Sequence, residues 1–186
     1  MTNKAIKQIA QFIRQRNQVE ADIARLTGRP AQVGFVGEYI AANIFDIQFE
    51  NQSARKSSDG RFRAGPLSGK TVSIKWYGRQ DYILDISANA VADYYLVMTG
   101  PLSGENVSKA STRMWSVDLL YLFDAKEMVR QLTVRKSNMG LATAIPKKWW
   151  ESAEIYPSVN SKLMSLSPAQ VEMIAMFSSA ALHKKS

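Results

Sequence analysis

The spacing of hydrophobic and polar positions along this chain changes several times, and each change marks an element. From residue 3 to residue 27, Ile6, Ile9, Ala10, Ile13, Val19, Ile23 and Leu26 recur at mostly helical intervals before Gly28-Arg29-Pro30 breaks the run. A helix is expected there. Gln32 to Phe45 repeats the helical period. Val36, Tyr39, Ile40 and Ile44 form its apolar stripe, while Glu38 lies with Gly37, Ala41 and Ala42 on a flank of small residues. Small residues let a helix lie close to a sheet, and a carboxylate among them could reach the sheet's end. Helix physics alone gives Glu38 a plainer role, that of an early-turn acid favoured by the helix dipole.

The period then falls to two. Residues 45–51 alternate as a strand, and 52–58 form a polar loop carrying Arg55 and Lys56. Asp59-Gly60-Arg61-Phe62 and Lys70 to Tyr77 flank the turn Gly65-Pro66-Leu67-Ser68-Gly69, the pattern of a hairpin. On the second arm Val72, Ile74 and Trp76 point one way, and Ser73, Lys75 and Tyr77 the other. Gly65 to Thr71 looks superficially like a phosphate-binding loop. Its glycines are one residue too close, however, and a β-rich run follows where a helix should open. They read as turn residues. Tyr82 to Ile86 is a short strand candidate, with Asp81 and Asp85 beside it. Tyr94 to Thr99 is almost continuously apolar, as in a strand buried on both faces, and Thr112 to Val117 is a further strand candidate.

The last third reads as helical. Asp124 caps a helix from Ala125 to Leu132, Pro146 opens one running to Tyr156, and Ser167-Pro168-Ala169-Gln170 caps one running to about Leu182.

Composition narrows the chemistry. The 186 residues, 46% hydrophobic and 22% charged, suit one domain over 1–186, or a core with an appendage; the helix and strand patterns divide it into an N-terminal helix (1–30), an α/β core (31–117) and a helical C-terminal part (118–186). There is no cysteine and one histidine, His183, which excludes a Cys/His zinc site and a histidine-based nucleophile triad. Any metal must be held by oxygens, which favours Mg²⁺ or Mn²⁺. No apolar run has membrane-spanning length and the first residues lack a signal-peptide core, so a cytoplasmic protein without a membrane partner is expected. The net charge of +8 suits an anionic partner, nucleic acid first. Candidate phosphate contacts are Arg55, Lys56, Arg61, Arg63, Lys147 and Lys148. Lys147-Lys148-Trp149-Trp150 mixes cations with aromatics as single-strand-binding surfaces do; the plain alternative is one core tryptophan and solvated lysines. Lys4, Lys7, Arg14 and Arg16 make the first helix basic, which most simply gives it a solvated face.

A glutamate on an early helix, an aspartate opening a strand and Ile74-Lys75 on the paired strand together resemble the PD-(D/E)xK superfamily of restriction-endonuclease-like nucleases. Val36 to Ala42, Asp59 to Phe62, Gly65 to Val72 and Ile74 to Tyr77 resemble a bacterial group within it, and Asp93 to Val97 and Ile155 to Pro157 extend the likeness over most of the chain. The resemblance implies a central mixed sheet flanked by helices, with Mg²⁺ held at the mouth of the hairpin. It implies Asp59 and the Ile74 carbonyl as metal ligands, Glu38 binding the metal directly or through water, and Lys75 orienting or deprotonating the attacking water. It further implies a DNA endonuclease that could act as a homodimer. Ser73 departs from the pattern, which has an acid two residues before the lysine. Either Glu38 or Asp85 supplies the missing charge, or metal binding is weak, or the domain binds nucleic acid without cutting it.

Overall fold

The chain is built on one mixed sheet. In this computed structural model, which describes residues 3–50, 58–87, 92–102 and 114–182, the helices are α1 (Asn3–Thr27), α2 (Val33–Phe45), α3 (Ala125–Val134), α4 (Lys147–Ala153), α5 (Pro168–Ala175) and α6 (Ser179–Leu182). The strands are β1 (Ile47–Phe49), β2 (Gly60–Phe62), β3 (Thr71–Tyr77), β4 (Ile83–Leu84), β5 (Tyr94–Thr99), β6 (Leu119–Asp124), β7 (Thr143–Ala144) and β8 (Glu154–Tyr156). Six of them make the sheet, in the order β1-β2-β3-β5-β6-β8, while β4 and β7 pair separately. The step from β3 to β5 is parallel and all others are antiparallel. An α/β class with a mixed sheet is therefore established.

Strand alternation divides the core in two. Val72, Ile74 and Trp76 face α2 and α5 together with Leu96, Met98, Leu120 and Leu122. Tyr95, Val97, Tyr121 and Phe123 face α3, α4 and the β4–β7 pair. The small-residue flank of α2 does allow a close approach: a Cβ at Gly37 would lie 2.9 Å from Trp76 Cε3. The 65–69 segment is a turn, with Gly65 and Gly69 at φ of 77° and 78°, and Thr71 then enters the sheet.

Three expectations need correcting. Thr112 lies outside the described residues, and Met114 to Val117 form no strand; the next residues, Leu119–Asp124, do. The backbone at 116–117 is used elsewhere, since the Ser116 carbonyl accepts from Trp76 Nε1 and Val117 N–H donates to the Phe177 carbonyl. The helix opened by Pro146 stops at Ala153, and Glu154–Tyr156 pair with β6. Pro157 favours extended backbone at Tyr156, and β6 offers an edge to pair with. The last helix is interrupted after Ala175, and Asp118 Oδ1 accepts from both N and Oγ of Ser179 where α6 begins. The C-terminal part is thus not simply helical, because it supplies two strands of the main sheet.

Asp93 ties the starts of the two parallel strands together. Its Oδ2 accepts from Thr71 N and Oγ1, both at 2.9 Å, and its Oδ1 accepts from Lys126 Nζ at 2.6 Å. The lysine's hydrogen bond leads in holding this carboxyl at about 2, below its ordinary 3.8. A carboxyl depressed in the folded state stabilises the fold above its unfolded value, and that contribution is lost as pH falls through the folded one. Denaturant titrations should therefore show stability falling between about pH 3.8 and about pH 2, and Asp93→Asn should flatten that limb. An unchanged acid limb in the variant would assign the tie no part in acid stability.

Candidate functional site

The hairpin assembles the site on one sheet face. Gly60 pairs with Val72, which leaves Asp59, one step before the first β2 residue, opposite Ser73. Ser73 Oγ donates to Asp59 Oδ2 at 3.2 Å, and Ile74 N–H donates to the same oxygen at 2.7 Å. Within an extended strand the N–H and C=O of one residue point to the same edge. The Ile74 carbonyl therefore points to the edge on which Asp59 sits. Lys75 lies one alternation beyond Ser73 on the same face. Lys75 is half-buried, and its ammonium makes no ion pair or hydrogen bond among the described residues. An anchored carboxylate and an unpaired cation thus share a face, a pairing suited to a phosphate and a water between them.

A second carboxylate joins this row. Phe49 pairs with Gly60, and Glu50 N–H donates to the Asp59 carbonyl at 3.2 Å, so Glu50 stands across from Asp59. Residues directly opposite on paired strands share a face. Glu50 accepts from Ser58 Oγ at 3.0 Å and pairs with Arg61 Nε at 2.9 Å. In the sequence Glu50 reads only as a strand residue. Its polar-face position was visible in the alternation of 45–51, but its partner depends on a strand register that the sequence does not display.

Glu38 is placed differently. It pairs with Arg29 Nη1 at 2.6 Å, with both side chains largely buried, and α2 packs on the face opposite that of Ser73 and Lys75. Arg29 is further held over the Phe35 ring at 4.3 Å and the Phe49 ring at 5.6 Å. A ligand role for Glu38 would require it to leave this pair. Asp85, the other candidate for the missing charge, accepts from Ala142 N at 2.8 Å, while its own N–H donates to Tyr77 Oη. Burial raises the Tyr77 hydroxyl, so it stays neutral beside the site. Asp81 accepts from Arg79 Nε at 2.6 Å. Among the described residues, no three acids or histidines gather into a group able to hold a metal ion.

The basic residues divide. Arg55, Lys56 and His183 lie outside the described residues. Arg61 is paired with Glu50 and also donates to the Gly69 carbonyl, and Arg63 Nε pairs with Asp46 at 2.7 Å. Both arginines remain more than half exposed, so these pairs are weak restraints that a phosphate could displace. Lys147 and Lys148 are exposed on α4. Trp149 is half-buried under Arg135, whose guanidinium lies 5.0 Å from its ring, and Trp150 is core. The plain reading of this segment therefore holds for the tryptophans. Compared with known proteins, the chain matches no protein-family model and no curated protein.

Proposed function

We propose that this protein is a metal-dependent nuclease of the PD-(D/E)xK, restriction-endonuclease-like type, hydrolysing phosphodiester bonds in nucleic acid, DNA rather than RNA. The observation that carries this reading is the placement of Asp59 and Lys75 on one face of the β2–β3 hairpin. The mixed sheet with α2 packed against β3 is in keeping with the fold that the resemblance implies. Asp59 and the Ile74 carbonyl are hard oxygen donors of the kind Mg²⁺ or Mn²⁺ prefers, and Glu50 adds a carboxylate beside them. A bound cation would supply Lewis acidity and a water of lowered pKa. The chain's own part is positional. The Ile74 N–H fixes the Asp59 carboxylate beside β3, and Lys75 offers its ammonium to the scissile phosphate and a hydrogen bond to the attacking water. No histidine is required.

A second reading, a nucleic-acid-binding module that does not cut, is favoured by one observation. Ser73 stands where the pattern has an acid, and together with the Ile74 N–H it occupies Asp59 Oδ2. Both readings require binding to a polyanion. Retention on duplex DNA should be strong at low salt, with log affinity falling linearly against log salt by a slope on the order of the number of phosphates contacted. Lys147→Ala with Lys148→Ala should make that slope shallower by roughly one unit per lost contact. A flat salt dependence would remove both readings, and tighter retention on RNA would reverse the preference for DNA.

A further inference from the structure

Helix α1 carries a face that the other described residues leave uncovered. It runs 25 residues and meets the body at α2, yet Phe12, Val19 and Leu26 are 57%, 56% and 77% exposed. Their spacing is seven residues. With Ile9 and Ile23 they form a 3.5-residue seam interrupted once, by Arg16. Such a seam is the pattern of a helix that pairs with another helix, and a single charged residue within it fixes register. Ile6 and Ile13, both 53% exposed, widen the seam along its first half.

We propose that α1 pairs antiparallel with α1 of a second copy of this chain, making the protein a homodimer in solution. Charge argues for this occupant and this direction. Residues 3–16 carry Lys4, Lys7, Arg14 and Arg16 with no acid, whereas residues 17–27 carry Glu20 and Asp22 against one cation, Arg25. Antiparallel pairing sets each basic half beside the other copy's acidic half and opposes the helix dipoles, whereas parallel pairing would align the basic halves. The seam also closes on itself. Setting Ile9 against Leu26 of the second copy puts Phe12 against Ile23 and Arg16 against Val19, and the same three contacts repeat about the two-fold axis. Arg16, which pairs with Glu20 of its own helix at 2.8 Å, then also lies next to the second copy's Glu20. A helix lying flat on an anionic membrane needs basic residues along its whole polar face. The acidic second half of α1 does not provide them.

Sedimentation of the full chain should give a reversible dimer, and Phe12→Glu combined with Val19→Glu should give a monomer with unchanged tryptophan fluorescence. The chain has no cysteine, so direction can be read from introduced ones. Under mild oxidation a mixture of Ile9→Cys and Leu26→Cys chains should cross-link between the two variants, while Ile9→Cys alone should not cross-link. This arm remains decisive if the glutamate variant fails to fold. A monomer at high micromolar concentration, a dimer that survives the glutamates, or self-cross-linking of Ile9→Cys would overturn the proposal. So would a monomer that binds anionic vesicles, which would assign the face to a membrane.

Discussion

Lys75→Ala should abolish phosphodiester cleavage while leaving the fold and most of the DNA affinity intact. Lys75 has no partner among the described residues, so removing its ammonium breaks no internal bond. Loss of one preorganised charge at a reacting centre typically costs about 10²–10³-fold in rate. Asp59→Asn should remove divalent-ion dependence together with activity. Asparagine keeps an oxygen that can accept from the Ile74 N–H, so the hairpin should survive. Ser73→Asp extends the same test. It would set a new carboxylate against Asp59 with Glu50 one strand further, and like charges this close raise a carboxyl pKa unless a cation binds between them. Calorimetry with Mn²⁺ should show tighter binding in Ser73→Asp than in the wild type. Absence of divalent binding in both would discard hydrolysis and leave the binding module, and cleavage that survives Lys75→Ala would place the centre elsewhere.

Trp150→Ala should cost about 3–5 kcal/mol of stability, among the largest effects of any single truncation in the core. The side chain is 1% exposed and meets Tyr121 and Phe123 edge-on, with ring centres 4.8 and 5.0 Å away. Among the described residues its Nε1 has no hydrogen-bond partner, so the loss is one of packing and buried apolar area. Urea unfolding of Trp150→Ala beside Lys147→Ala and Lys148→Ala separates the two readings of this segment. The lysine variants should unfold like the wild type and bind DNA less tightly. A Trp150→Ala protein of normal stability that had lost single-strand binding would restore the stacking surface.

Local signals explain which elements could be read from the chain alone. The first two helices, the hairpin, the buried strand at Tyr94–Thr99 and the Ser167–Gln170 capping box are each set by spacing, by turn residues or by a side-chain cap, all within a few residues. Asp59, Ser73 and Lys75 share a face for the same reason, since strand alternation and a turn of fixed length leave little choice. The segment Leu119–Asp124 carries an apolar run too, but a run of that length fits a buried helix turn as well as a strand. Its apolar run becomes a central strand only because β5 and β8 lie on either side of it. Glu154–Tyr156 continue a helical pattern and turn extended because β6 has an edge to fill and Pro157 follows.

The sequence by itself therefore determined an α/β protein of positive charge, with Asp59, Ser73 and Lys75 on one face of a hairpin. Tertiary structure alone decided how the acids are distributed. Glu38 faces Arg29 on the side of the sheet that α2 covers, and Glu50 takes the place beside Asp59. Both outcomes depend on which strands pair, in what register, and which face a helix covers. These choices are made by contacts between residues far apart in the chain, and no local period records them.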